Sequence, residues 1–192
     1  MAELRRSVVR PVTLDDYEWL LDLHRRAEVI GSGQALIANG RPEAAIESLW
    51  HDVFCQFVVQ DQASGERRGI LVGYGLNDRC RVASMAVIFS RRGRSAIADI
   101  EALEWFIDLL FYTYRLRKVY FDVAERHLYQ MESTLRRVAR HEVQYPEAEL
   151  VEGSWQSRHV FALYEDEWDV ARPSARVATA LGKREAVAGD IA

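Results

Sequence analysis

The segment Val82-Ala83-Ser84-Met85-Ala86-Val87-Ile88-Phe89 is almost wholly apolar and ends abruptly at Ser90-Arg91-Arg92-Gly93-Arg94-Ser95. A short apolar run of this kind reads as a strand covered on both faces, and such a strand belongs at the centre of a sheet. After the polar turn, Ile97, Ile100, Leu103, Phe106, Ile107, Leu110, Phe111 and Tyr114 recur at helical spacing. The pattern places these residues, Ile97 included, toward the core. A central strand, a basic Gly-containing turn and a long amphipathic helix restrict the chain to a layered domain of sheet and helices.

The flanking segments extend that plan. Val8 to Val12 reads as an opening strand, and Thr13-Leu14-Asp15-Asp16 as a helix start with a capping hydroxyl and acids in the first turn. Pro42 fits the first turn of a second helix, with Ala45, Ile46, Leu49, Trp50 and Val53 as its apolar face. Strands are expected at Cys55–Val59, Gly69–Leu76 and Val82–Phe89, joined by short turns as an antiparallel meander. A strand over Lys118–Val123, a helix marked by Leu128, Met131, Leu135 and Val138, and strands over Val143–Val151 and Arg158–Tyr164 complete the order. The fold class is therefore mixed α/β. A central, mostly antiparallel twisted sheet of six to seven strands is expected, flanked by about four helices. One domain is expected over residues 1–168, followed by a mobile or weakly helical tail over 169–192.

Composition removes several function classes. With 192 residues, 49% apolar and 28% charged, the chain can bury a full core as a soluble globular domain. It has no uninterrupted apolar stretch of about eighteen residues and no apolar leader, so no membrane partner is expected and the location reads as cytoplasmic. A formal net charge of −4 argues against a general nucleic-acid partner. Cys55 and Cys80, set in apolar surroundings, read as reduced core thiols, and the histidines show no ligand spacing, so no metal is expected. Aromatic side chains such as Trp19, Trp50, Trp105 and Trp155 would permit a homodimer if some lie on the surface.

The order of these elements resembles the GNAT superfamily of N-acetyltransferases. The resemblance runs from about Val8 to Trp168. Val9-Arg10-Pro11-Val12-Thr13-Leu14-Asp15-Asp16, Gly69-Ile70-Leu71-Val72-Gly73-Tyr74-Gly75, Leu116-Arg117-Lys118-Val119-Tyr120-Phe121-Asp122-Val123 and Phe161-Ala162-Leu163-Tyr164-Glu165-Asp166-Glu167-Trp168 are similar to the branch of ribosomal-protein N-terminal and small-amine acetyltransferases. The resemblance implies transfer of an acetyl or larger acyl group from acetyl-CoA, a co-substrate, to a primary amine of a small molecule or peptide. Transfer would be direct, within a ternary complex.

The residues can be assigned to that chemistry in two groups. A helix N-terminus offers unpaired N–H groups and the positive end of the helix dipole to a pyrophosphate, and arginines add charge-assisted contacts. Arg91, Arg92, Gly93, Arg94, Ser95 and Ala96 supply such a turn. The resemblance adds a splayed strand pair, in which the backbone of Ala86, Val87, Ile88 and Phe89 would pair with the pantetheine arm. It also places His127 where relatives often carry an asparagine. Thr134 occupies the position of a tyrosine acid in many relatives, so Ser133, Thr134 and Tyr129 are the candidates to protonate the leaving thiolate. Glu28 and Asp78 are candidates for the acceptor side, and with Glu101 for a general base. The turn departs from the family's Gln/Arg-x-x-Gly-x-Gly/Ala signature. From Arg92 the glycine positions hold Ser95 and Ile97, and from Ser90 only Gly93 fits. Two further readings follow from that departure: a catalytically silent binding module, and an acyltransferase whose donor arrives on a carrier protein.

Overall fold

The computed structural model describes residues 1–25, 51–90, 96–151 and 153–171. The helix expected after Pro42, the basic turn 91–95 and the tail from residue 172 lie outside the described residues.

Among the described residues, eight strands form one sheet. They are β1 (Ala2–Glu3), β2 (Ser7–Pro11), β3 (Val53–Asp61), β4 (Arg67–Asn77), β5 (Val82–Phe89), β6 (Lys118–Ala124), β7 (Arg140–Val151) and β8 (Ser154–Tyr164). Their order is β1-β2-β3-β4-β5-β6-β8-β7. Every neighbouring pair is antiparallel except β5 and β6. The apolar run that opened the sequence argument is the central strand, as its two-sided burial requires. The sheet exceeds the expected six to seven strands because Ala2 and Glu3 pair with Val9 and Val8. A strand with two paired residues is too short to leave an alternating signature.

Helices α1 (Tyr17–Arg25), α2 (Ala96–Asp108), α3 (Glu125–Val138) and α4 (Glu165–Ala171) flank the sheet. α1 covers one face, where Leu20 and Leu23 pack on Ile70, Val72, Ala86 and Ile88. The other face carries the larger core, in which Phe106, Ile107, Leu110 and Phe111 meet Leu71, Met85, Phe121, Val123, Leu135 and Phe161. α4 begins at Glu165 and runs to Ala171.

Helix α1 is anchored by a charge node. Asp16, fully buried, accepts two hydrogen bonds from Arg10 (2.7 and 2.8 Å), one from the Thr13 N–H (2.8 Å) and one from its hydroxyl (3.0 Å). Arg67 Nε stands 2.9 Å from its second oxygen. These contacts hold the Asp16 carboxyl well below the usual carboxylate range, with the Arg10 hydrogen bonds the largest cause. The expected Thr13 start is thus present, entered through a short 3-10 turn over Leu14–Asp16.

Two sequence expectations fail against packing. Ile97 is 61% exposed and Ile100 is exposed too, whereas Ala98 and Ala102 are buried. The first turns of α2 meet the strands through small residues, which turns the isoleucines outward. Cys55 is buried as expected, and burial pushes its thiol up to about 11. Cys80 is exposed, because it sits in the turn between β4 and β5, where Asn77 Oδ1 accepts its N–H.

Candidate functional site

The one parallel pair in the sheet is also its shortest interior contact. β5 and β6 pair only at Val82↔Lys118, Ala83↔Val119 and Ser84↔Tyr120. β5 then continues to Phe89 along β4, and β6 continues to Ala124 along β8. Beyond Ser84 and Tyr120 the two strands part. Among the described residues, Met85–Phe89 has a sheet neighbour on one side only. The expected splay is therefore present, and the backbone edge expected at Ala86, Val87, Ile88 and Phe89 faces into it. Backbone edges of this kind bind an extended chain carrying amide groups, whatever the side chains.

The open end of β5 is held from the other side. At Gly69, on β4, a Cβ would lie 2.4 Å from Phe89 Cδ1 and 2.5 Å from the Ile88 carbonyl oxygen. Only glycine lets β4 run this close to Phe89. The Ser90 N–H then donates to the Arg68 carbonyl (2.7 Å), which fixes where the chain leaves the strand.

The start of α2 is tied to the N-terminal hairpin. Glu101 accepts the backbone N–H groups of Arg5 (2.9 Å) and Arg6 (3.0 Å), and Ser7 Oγ donates to the Ala98 carbonyl (3.3 Å). Buried Arg68 reaches Asp99 (2.8 Å) and Asp61 (3.5 Å). Glu101, one of the bases considered from sequence, is thereby occupied as a backbone anchor. A cavity of about 460 Å³ lies at this junction of the N-terminal hairpin with α2, lined by Arg5, Arg6, Asp61, Gln62, Ala63 and Ala98.

The face of the splay shared with α1 carries a polar cluster. Sheet register puts Tyr74, Ser84 and Tyr120 side by side across β4, β5 and β6 at the point where the strands part. Asp122 is the next residue on that face of β6, and Arg158 reaches it from β8 at 3.7 Å. Arg158 is turned mainly to Glu149, through Nε (3.2 Å) and a terminal nitrogen (3.0 Å), and Arg126 approaches the second Glu149 oxygen at 3.4 Å. Burial raises the Asp122 carboxyl above the ordinary carboxylate value, Arg158 opposes the rise, and Glu149 adds to it. Burial also raises the Tyr74 phenol, with the Asp122 charge adding and a Ser84 hydrogen bond opposing. A bulge opposite Val82–Ser84, where Gly75 takes φ +64° and donates its N–H to the Asp52 carbonyl (2.9 Å), sits immediately beyond Tyr74.

The remaining candidates are distributed as follows. His127 lies in the first turn of α3, half-buried, and accepts from Arg126 Nε (3.2 Å). Tyr129 is 90% exposed on α3. Ser133 and Thr134 belong to the same helix, but their side chains lie outside the described residues, as do Glu28 and Arg91, Arg92, Gly93, Arg94 and Ser95. Ala96 opens α2. Asp78 is in the exposed β4–β5 turn, at the paired end of β5 and away from the splay. Two histidines without sequence spacing nevertheless meet: His159 Nδ1 lies 3.1 Å from His141 Nε2, across β8 and β7. Burial and the neighbouring His141 hold His159 below its ordinary value.

Asp122 and Tyr74 went unassigned in the sequence, although a signal was there. In Val119-Tyr120-Phe121-Asp122-Val123 the apolar residues alternate with polar ones, which places Tyr120 and Asp122 on one face of an interior strand. A carboxylate at such a position needs a reason.

No family model matches the chain, and no curated protein matches it in sequence. Solved structures do. A variant of the spermidine N-acetyltransferase SpeG from Vibrio cholerae has a TM-score of 0.70 at 16% identity, over 84% of this chain and 96% of that chain. A second variant of the same enzyme gives 0.71 at 16%, over 86% and 97%. A dodecameric form of it in an intermediate state gives 0.71 at 15%, again over 86% and 97%. At this identity the likeness shows the fold. The chain has the GNAT fold that its sequence order resembles.

Proposed function

We propose that this chain is an N-acyltransferase that moves an acetyl or larger acyl group from CoA to a primary amine by direct transfer in a ternary complex. The observation that carries the reading is the splay itself, a backbone edge at Met85–Phe89 opened inside a GNAT-fold sheet. The amides of a pantetheine arm match such an edge. The phosphates would lie at the start of α2, where Arg91, Arg92, Gly93, Arg94, Ser95 and Ala96 would supply charge and N–H groups, and His127, in the first turn of α3, would add a contact. Backbone N–H groups near Val87 would polarise the thioester carbonyl. The acceptor enters from the α1 face, whose carboxylates suit a cationic amine. Glu28 and Asp78 are the sequence candidates for the acceptor side, and Ser133, Thr134 and Tyr129 those for the proton to sulfur; of these, Asp78 stands away from the splay and Tyr129 is 90% exposed.

The acceptor is a small polyamine, another small amine or a peptide N-terminus. Spermidine is a first probe because it is named for the enzyme whose structure this chain resembles. Holding donor and acceptor together in the splay supplies much of the rate without a covalent enzyme intermediate.

Titration calorimetry with acetyl-CoA and with CoA tests the reading. Binding of both in the micromolar range is expected, followed by thiol release when an amine is added. No binding at millimolar concentration overturns it. The atypical loop sequence favours one second reading, a GNAT-fold binding module without turnover. Arg92→Ala with Arg94→Ala separates the two, since a cellular phenotype that survives loss of CoA binding belongs to the module.

A further inference from the structure

Acyl transfer to an amine moves one proton from nitrogen to sulfur, and the geometry of the splay offers two groups for it. Tyr74, Ser84 and Tyr120 sit abreast where β5 and β6 part, and Asp122 is the first carboxylate on the free length of β6. It stands on the same face, one step past the vertex. Arg158 stays 3.7 Å from it while making closer bonds to Glu149. Asp122 is thus a half-buried carboxylate whose ion pair with Arg158, at 3.7 Å, is longer than the contacts Arg158 makes to Glu149. Ser84 stands between the two strands, paired in register with Tyr74 on one side and Tyr120 on the other.

We propose that Asp122 and Tyr74 are the proton-handling pair of this site, with Asp122 taking a proton from the acceptor amine and Tyr74 giving one to the departing sulfur. The assignment rests on the acyltransferase reading above. The amine lone pair attacks the thioester carbon, and the C–N bond forms as its proton passes to Asp122. The C–S bond then breaks, and its electron pair leaves on sulfur, which takes the phenolic proton of Tyr74. Proton return from Asp122 to the Tyr74 oxygen restores both groups. No oxidant, reductant or further reactant is needed. Burial serves both roles, since it makes Asp122 a better proton acceptor than an exposed aspartate and keeps Tyr74 protonated until sulfur needs the proton.

A purely structural Asp122 would do no more than support Arg158. The two roles separate in pH–rate profiles for acetyl-CoA with spermidine and with a short peptide bearing a free N-terminus. Asp122→Asn is expected to lower kcat by about 100-fold and Tyr74→Phe by about 10-fold. Acetyl-CoA affinity should stay within about twofold in both. Asp122→Asn should also remove the acidic limb of the kcat/KM profile, and the double variant should be no slower than Asp122→Asn alone. Asp122→Glu, which keeps the carboxylate, should recover part of the rate. If the wild-type protein binds and transfers while both variants match its rate and profile, the pair is wrong and the acyltransferase reading stands. Binding without transfer to either amine overturns the pair as well. If the wild-type protein does not bind acetyl-CoA, the reading fails and takes the pair with it.

Discussion

The two ends of the β5–β6 junction are built in opposite ways. At the paired end, three residue pairs are reinforced from outside the sheet. The Arg117 N–H donates to the Arg81 carbonyl (2.8 Å), and its Nε donates to the Cys80 carbonyl (2.9 Å). Arg81 Nε reaches the Arg115 carbonyl (2.6 Å), and the Glu165 N–H donates to the Arg117 carbonyl (3.2 Å). The β4–β5 turn, the approach to β6 and the start of α4 are thereby stitched together. At the open end, β5 and β6 share no ladder pairs, and each is held by its outer neighbour. A sheet can keep a gap in its middle when one end of that gap is clamped. Substitutions at the clamped end should therefore cost stability, and those at the open end should cost activity.

The largest stability effect is expected at the clamped end. Phe111 is fully buried in the π-helical turn before β6, packed 6.5 Å from the Trp168 ring centroid. Phe111→Ala should cost about 4 kcal/mol, read from the urea midpoint. Gly69→Ala probes the open end. Its methyl group would collide with the Ile88 carbonyl, so about 2 kcal/mol of strain is expected, along with weaker acetyl-CoA binding as the end of β5 shifts. Affinity unchanged after that substitution would mean that the donor does not use this edge. Arg81→Ala removes one stitch at the clamped end and should cost about 1 kcal/mol while leaving acetyl-CoA affinity alone.

The smallest effect concerns His159, beside the open half of β6 through its pairing with Val123. Its folded form is held below the ordinary value of 6.5, so the unfolded chain binds more protons as acid is added. The stability it contributes is present above that value and is lost as pH falls through the lower folded one. Melting curves between about pH 7 and 5 should show a decline that His159→Phe reduces. His141, tilted against it with 5.1 Å between ring centroids, and Glu125 from α3 face the same group.

How much of this was legible in the sequence depended on how many residues carried each signal. β5 was unmistakable because seven of its eight consecutive residues are apolar. The meander and α2 follow from long segments in a recognisable order, while the splay was implied only by the family resemblance. Ile97 misled because periodicity counts apolar residues and does not see that Ala98 and Ala102 let the helix sit close to the sheet. Tyr74 and Asp122 are far apart in the chain and come to one face of the sheet through strand pairing. Their relation exists only once the register of three strands is fixed. Asp122 alone left a local trace, as a polar residue alternating into an interior strand.

The unpaired length of β5 also says something about what can reach it. An open strand edge on the outside of a sheet invites any passing chain to extend the ladder, with aggregation as the usual result. Here the edge lies inside the sheet, between two strands that converge to a vertex at Ser84 and Tyr120. Toward that vertex the two strands return to ladder pairing, so a chain approaching the edge meets β6 as well as β5, unlike at the rim of a sheet.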